Sequence, residues 1–180
     1  MKLSVRKLVH LSFLIALSIV LTRMLSIRIP FGGVEGVRIG FGALPIIFAG
    51  VVFGPLAGGI VGAISDLIGY FINPMGAYMP HFTLTSFLTG FIPGLIIFYV
   101  FKHKKTYWKL FFAIAIGQVI SSIILVPYFM LTLFSVPLSV SLIPRIVSQS
   151  INIPLYAAFI VTLLKFDILN YDVSKLNSTI

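Results

Sequence analysis

Residues 38–94 read RIGFGALPIIFAGVVFGPLAGGIVGAISDLIGYFINPMGAYMPHFTLTSFLTGFIPG, and this stretch differs from a plain run of lipid-facing residues. Glycines recur every four residues, at Gly50, Gly54, Gly58 and Gly62, and a single carboxylate, Asp66, follows them. Small residues let membrane helices approach closely, and a carboxylate among apolar residues is unfavourable unless it is paired. The stretch therefore predicts helices packed closely around a polar site.

The composition of the whole chain is that of an integral membrane protein. Of its 180 residues, 59% are hydrophobic and 9% are charged, and the mean hydropathy is +1.13. A soluble domain carries roughly 25% charged residues. At roughly 20 residues per helix plus short loops, a chain of this length fits one bundle of five or six spans. We predict an all-α, multi-pass protein of the cell membrane, with residues 1–180 forming a single membrane domain.

Six apolar segments predict a bundle of six transmembrane helices. Their expected ranges are about 8–26, 41–53, 56–72, 82–101, 109–131 and 145–165. The second helix is short, and a segment of 10–14 residues is as typical of a re-entrant loop as of a span. Charge does not separate the two possibilities, because both return the chain to the same side. Whether residues 41–72 fully cross the membrane is therefore left open.

The net charge of +9 follows the pattern of membrane topology rather than of nucleic-acid binding. Nine of the thirteen basic residues lie before the first apolar segment, in the loop at residues 102–109 and in the C-terminal tail. The positive-inside rule places these regions, and hence both termini, in the cytoplasm. The other four are all arginines and fall on the outer side: Arg23, Arg28, Arg38 and Arg145. Guanidinium groups suit bidentate binding of a carboxylate or phosphate.

Two of the predicted helices each carry a polar stripe at a spacing of i, i+4 and i+7. These residues are Asp66, Tyr70 and Asn73 on the third helix and Arg145, Gln149 and Asn152 on the sixth. Such spacing puts three side chains on one helix face, and a polar face is unfavourable against lipid. We expect both stripes to face the interior. The alternatives are that Asp66 is bonded only to a neighbouring helix and that the outer arginines form a solvated rim.

Catalytic and metal sites find little support in the sequence. The chain has no cysteine and three histidines, of which only His81 lies near the polar loop, so neither a metal site nor a cofactor is predicted. An intramembrane hydrolase could use Ser65 or Ser86 with His81 as base, although serines in membrane helices also bond to the helix backbone. The 180 residues hold no G-x-x-x-x-G-K-[ST] motif for ATP hydrolysis.

The stretch from Arg38 to Gly69, followed by FTLTSFLTGFIPG from Phe82 to Gly94, resembles the substrate-binding S components of energy-coupling factor (ECF) vitamin transporters. The chain is most similar to the folate-specific members. This resemblance implies a six-helix bundle without enzymatic activity, in which the loops after helices one, three and five hold the vitamin near the outer face. Here those loops are 26–40, 70–81 and 132–144.

The same resemblance implies that the chain works with a T component in the lipid bilayer and two cytoplasmic ATPases, with no nucleic-acid partner. Small residues on helix one would contact the T component, and they correspond to Ser12 and Ala16. The spacing of these two residues alone indicates either such a contact or ordinary packing inside the bundle. The serine departs from the alanine usual in the family.

Folate agrees with the side chains available near the outer face. Its glutamate carboxylates suit arginine, its flat rings suit aromatic side chains, and the N–H donors of its pterin suit Asp66. The predicted site comprises Arg28, Arg38, Phe41, Asp66, Tyr70, Asn73, Tyr78, His81, Phe82, Thr83, Thr85, Arg145, Gln149 and Asn152. The alternatives are an S component for a different vitamin and the intramembrane Ser/His hydrolase.

Overall fold

A bundle of membrane helices with one β-hairpin makes up the described part of the chain. The computed structural model describes residues 5–24, 26–31, 34–72, 78–102 and 106–165, and within 23–39 it describes the backbone only. The elements are α1 (Val5–Met24), β1 (Ser26–Phe31), β2 (Val34–Gly40), α2 (Ala43–Phe53), α3 (Pro55–Ile72), α4 (Pro80–Leu95), α5 (Tyr107–Gln118), α6 (Val126–Phe134) and α7 (Leu138–Lys165). A π-helical turn at Ile96–Val100 extends α4, and another at Val119–Leu125 joins α5 to α6.

The predicted helical membrane fold is confirmed. In the described part of the chain, five segments are long and apolar enough to cross a membrane: α1, α3, α4 with its π-helical extension, the continuous α5–α6 span and α7. The sixth segment, α2, is shorter. The orientation of the termini stays a prediction from the charge pattern. Single cysteines at Lys104 and Gly76 would test it, since labelling of both by an impermeant reagent on intact cells would contradict it.

The segment after α1, predicted as an outer loop, contains an antiparallel β-hairpin. Its register pairs Ser26 with Gly40 and Arg28 with Arg38. Ile27, Ile29, Val37 and Ile39 supply the β-branched residues that favour strands. The hairpin leads directly into α2, because β2 ends at Gly40 and α2 begins three residues later.

The short helix α2 is almost completely buried and runs alongside α1. The Ser18 hydroxyl donates to the Gly42 carbonyl at 2.8 Å, and the Lys7 ammonium donates to the Phe53 carbonyl at 3.2 Å. The two ends of α2 thus lie at different levels along α1. At 1.5 Å per residue its 11 residues extend roughly 16 Å. The chain therefore reaches the level of Lys7 through α2 rather than turning back near the hairpin.

Glycines bring α2, α3 and α4 into backbone contact. A Cβ atom at Gly50 would lie 2.1 Å from the Gly90 carbonyl oxygen, and one at Gly58 would lie 2.5 Å from the Cα of Gly50. Between α2 and α3, Gly54 adopts φ +103°, a conformation that L side chains rarely adopt. The regularly spaced glycines therefore serve close helix packing and one turn, and they set the position of Asp66 further along α3.

Replacing Gly62 by alanine should destabilise the bundle by about 1–3 kcal/mol. The new Cβ would lie 2.1 Å from the Ser86 carbonyl oxygen, so α3 and α4 would have to separate. The thermal melting temperature of the purified protein measures this effect. Ile64→Ala is the control, because Ile64 lies on the same helix and is 38% exposed. Equal melting temperatures for Gly62→Ala and the unmodified protein would contradict the close contact.

The last helix begins at Leu138, seven residues before the start that the sequence predicts. Residues 132–144 were expected to form a loop, but α6 continues to Phe134 and α7 starts at Leu138. Two prolines, Pro144 and Pro154, lie inside α7. Proline is tolerated in membrane helices because neighbouring groups compensate for the missing backbone hydrogen bond. The Ser148 hydroxyl donates to the Pro144 carbonyl at 2.8 Å, which is an i to i−4 bond within the helix. Arg145 consequently lies about two turns inside the helix rather than at its start.

Candidate functional site

A chain of three side chains links α3 to the beginning of α4. The Thr83 hydroxyl donates to Asp66 Oδ2 at 2.8 Å, and the Tyr78 hydroxyl lies 2.9 Å from the Thr83 oxygen. Because Thr83 has a single hydroxyl hydrogen and gives it to Asp66, Tyr78 must be the donor to Thr83. Asp66 is therefore bonded to a neighbouring helix, and its partly buried carboxylate is held at a fixed position beside two further polar side chains.

Aromatic side chains surround this polar chain at the same end of the bundle. The Tyr70 and Tyr78 rings are 5.3 Å apart, so the two tyrosines flank the Asp66 side of the site. At the start of α4 the His81 ring lies 4.9 Å from Phe129, and Phe82 stacks on Phe134 at 6.5 Å. These contacts join α4 to α6. Flat aromatic faces next to a carboxylate suit a planar ligand with N–H donors on its edge.

The second predicted stripe lies on the inner side of α7. Asn152 is buried, and the Gln149 side-chain amide donates to the Ser122 hydroxyl at 2.9 Å. Arg145 is partly buried on the same helix. The two stripes thus contact different neighbours, since Asp66 is bonded to α4 and Gln149 is bonded to the fifth span. The α4 helix connects the two regions, because the hydroxyl oxygens of Thr89 and Ser121 lie 3.1 Å apart.

Three polar residues in the middle of the bundle were not among the predicted site residues: Thr89, Gln118 and Ser121. Gln118 is 3% exposed, and the structure gives its amide nitrogen no bonding partner among the described residues. Ser121 lies in the π-helical turn of the fifth span, a feature that is frequent at functional sites. The available signal was the sequence QVISS inside an otherwise apolar span, where polar residues are functional candidates by default.

Several predicted site residues bond to or pack against other parts of the bundle, and others lie outside the described region. The Thr85 hydroxyl donates to the Phe82 carbonyl of its own helix at 2.7 Å, which leaves it only acceptor capacity for a ligand. Phe41 packs edge-on against Phe159 with ring centroids 5.5 Å apart. Asn73 lies outside the described residues, as do the side chains of Arg28 and Arg38.

The outward face of α1 carries the two small residues predicted to bind a partner. Ser12 and Ala16 are both exposed, whereas Leu11, Leu14 and Ser18 point into the bundle. Ordinary packing inside the bundle therefore does not explain the small residues. The exposed face also includes Phe13, which is 65% exposed, so it offers an uneven apolar surface toward the membrane.

The comparison with protein families shows to which family this chain belongs. The family described as ECF-type riboflavin transporter, S component, has a model that matches residues 2–166. This chain belongs to the S components of ECF-type transporters. The S component is thus a multi-pass membrane protein of a transporter family, as predicted, and not an enzyme. Consistent with that, Ser65 is buried, and His81 is exposed with its ring packed on Phe129.

Named relatives include transporters of two different vitamins. The S component is 35% identical over 156 residues to the folate transporter FolT of Clostridium novyi (strain NT). The aligned region covers 87% of this chain and 86% of the relative. It is 29% identical over 124 residues to the riboflavin transporter FmnP of Bacillus subtilis (strain 168). That aligned region covers 68% of this chain and 64% of the relative.

Solved structures share the fold of this S component. A crystal structure of FolT bound with folic acid superposes with a TM-score of 0.72 at 27% identity, covering 87% of this chain and 90% of the other. The structure of an S component of a bacterial ECF transporter superposes with a TM-score of 0.66 at 26% identity, covering 88% and 95%.

Proposed function

We propose that this S component binds folate from the outer side of the membrane and delivers it to an ATP-driven ECF transporter. The observation that carries the proposal is the fixed carboxylate of Asp66 between Thr83 and the tyrosine pair Tyr70 and Tyr78. The relationship to the folate transporter of Clostridium novyi supports the same ligand. The ultraviolet spectrum of the purified protein is a first test, because tightly bound folate would co-purify and absorb beyond the protein band.

The pterin end of folate matches the Asp66 region chemically. A pterin presents adjacent N–H donors, and a carboxylate has two oxygens that accept such bonds. Thr83 occupies one of these oxygens with a single hydrogen bond, so acceptor capacity remains for the ligand. Tyr70 and Tyr78 then provide aromatic surface for the flat ring system. The pterin therefore fits deep in the site, beside α3 and α4.

The glutamate end of folate requires cations, and three arginines are candidates. The hairpin register places Arg28 opposite Arg38, and like charges at opposed strand positions destabilise a hairpin. A carboxylate ligand bound between them would relieve that repulsion. Arg145 is the third candidate, because its partly buried guanidinium lies two turns inside α7 and suits bidentate binding of a carboxylate.

Riboflavin is the second candidate ligand, because the matching family is described by riboflavin and the Bacillus subtilis relative is a riboflavin transporter. Riboflavin has a flat ring system and N–H and carbonyl groups, but it carries no carboxylate. It would leave the outer arginines without an anionic partner. A yellow purified protein with flavin absorbance in the visible range would therefore favour riboflavin over folate.

The proposed transport partners are a T component and two cytoplasmic ATPases. The sequence has no P-loop motif, so the energy of ATP must come from other subunits. The exposed small residues Ser12 and Ala16 on α1 support a helix–helix contact there, because small residues let a partner helix approach closely.

Replacing Arg145 by glutamine should weaken folate binding by roughly tenfold or more, since a charge-assisted hydrogen bond contributes about 1.5–3 kcal/mol. A pterin that lacks the glutamate should bind almost unchanged. Calorimetric titration with both ligands measures the difference. Lys109→Gln is the control, because it removes the same charge at the far end of the bundle. Equal losses of affinity for both ligands would show that Arg145 does not bind the glutamate tail of folate. Arg28 and Arg38 would then remain as candidates.

A further inference from the structure

A groove lies between the beginning of α5 and the end of α7, on the side of the bundle that carries the basic loop. It is lined by Thr106, Tyr107, Val161, Leu164 and Lys165 and has a volume of about 420 Å³. The α1 helix packs against α2 and α3, whereas this groove is built from α5 and α7. The groove is therefore separate from both the Asp66 region and the α1 face, and the proposed transport function does not use it.

The groove is amphipathic along its length. Val161 and Leu164 form an apolar wall, and Lys165 follows them directly as an exposed cation. The Thr106 hydroxyl makes no capping bond to α5, so it is available to a ligand. Among the residues that line the groove, Lys165 is the cation and none is acidic. The charge therefore selects an anionic head group at one end of an apolar surface.

Aromatic residues place the groove at the boundary between head groups and acyl chains. Tyr107 lines it, and the neighbouring Trp108 is 64% exposed. Tyrosine and tryptophan are enriched at this level of a membrane because one part of each ring system is apolar and another is polar. A molecule that binds here would meet lipid on one side and water on the other.

We propose that this groove binds one anionic phospholipid, with its phosphate at Lys165 and Thr106 and an acyl chain along Val161 and Leu164. One lysine beside the phosphate of an anionic lipid, here Lys165, contributes enough attraction to change lipid affinity by about fivefold. A lipid seated here would bridge the fifth and sixth spans at their ends, where α5 and α7 pack against each other.

Native mass spectrometry of the full chain in detergent tests this proposal. The probes are phosphatidylglycerol and phosphatidylcholine with identical acyl chains. We expect one phosphatidylglycerol to be retained about fivefold more strongly than phosphatidylcholine, and Lys165→Gln to remove that preference. Lys109→Gln is the matched control, since the Lys109 ammonium lies 5.6 Å from the Phe101 ring centroid and does not line the groove.

A second variant tests the groove rather than its charge. The tryptophan side chain of Val161→Trp should occupy the groove and lower the retention of phosphatidylglycerol, while every lysine stays in place. Melting temperatures of all variants report whether they fold. The proposal is overturned if the two lipids are retained equally, if Lys109→Gln acts as strongly as Lys165→Gln, or if Val161→Trp changes nothing. Displacement of the lipid by excess inorganic phosphate would also overturn it, because the site would then bind a free anion.

Discussion

Replacing Asp66 by alanine should weaken folate binding about a hundredfold. Two adjacent N–H donors of the pterin would each lose a charge-assisted hydrogen bond of about 1.5 kcal/mol, and the two losses together amount to about 3 kcal/mol. The same variant should weaken a pterin without the glutamate tail equally, because Asp66 is proposed to read the ring alone. Calorimetric titration of the purified variant with both ligands measures this.

Two further variants separate the charge of Asp66 from its position. Asp66→Asn keeps an oxygen that accepts from Thr83 but removes the charge, so it should lie between alanine and the natural residue. Thr83→Val removes the hydroxyl that holds Asp66 Oδ2 at 2.8 Å and should weaken binding by less than Asp66→Ala does. If Asp66→Ala binds folate with full affinity and has an unchanged melting temperature, the Asp66 carboxylate does not contribute to the binding site.

Replacing Ala16 by tryptophan should abolish folate uptake by cells that carry the complete transporter. Ala16 is exposed on α1, where a large ring would hold a partner helix away from the bundle. Folate binding by the isolated S component should stay unchanged, because the substitution points away from Leu11, Leu14 and the rest of the core. Uptake of labelled folate and calorimetric titration measure the two properties separately.

The matched control for this variant is Ala158→Trp. Ala158 is also an exposed alanine, but it lies on α7. Tryptophan there adds the same bulk to the lipid-facing surface without touching α1, and uptake should continue. If Ala158→Trp stops uptake as completely as Ala16→Trp, the effect is general disturbance of the bundle. If Ala16→Trp destroys binding, the residue serves internal structure instead of a partner contact.

The helical architecture could be predicted because the sequence carries strong local signals for it. Apolar segments of spanning length predict the helices. The spacing of Gly50, Gly58 and Gly62 predicts the close packing that the structure shows between α2, α3 and α4. The start of α7 could not be predicted in this way. Prolines such as Pro137 and Pro144 usually mark a loop, but membrane helices tolerate proline, and Pro144 lies inside α7.

The β-hairpin was missed although a signal was present. Gly32 and Gly33 stand between two runs rich in β-branched residues, and a two-residue Gly-Gly link is typical of a tight hairpin. The same glycines, together with Pro30, are also typical of a loop, which is the structure predicted above. Pro30 lies inside the first run, and a proline within a run argues against a strand, so the strand signal was weaker than the signals for the helices.

The sequence predicted which residues belong to the candidate site better than it predicted which side chains contact each other there. The i, i+4, i+7 spacing located Asp66 and Gln149, but only the structure pairs them with Thr83 and Ser122. Those partners come from other helices, and the relative rotation of two helices is not encoded in either helix alone. The buried Gln118 was passed over for the same reason, since its importance depends on which side of the fifth span faces the core.

Folate binding by the S component alone is the central claim, and calorimetric titration of the ligand-free protein tests it most directly. The protein should bind one folic acid per chain, and prior saturation with riboflavin should not reduce that binding. Binding of riboflavin with no heat from folic acid would contradict the account and would assign the Asp66 region to a flavin instead.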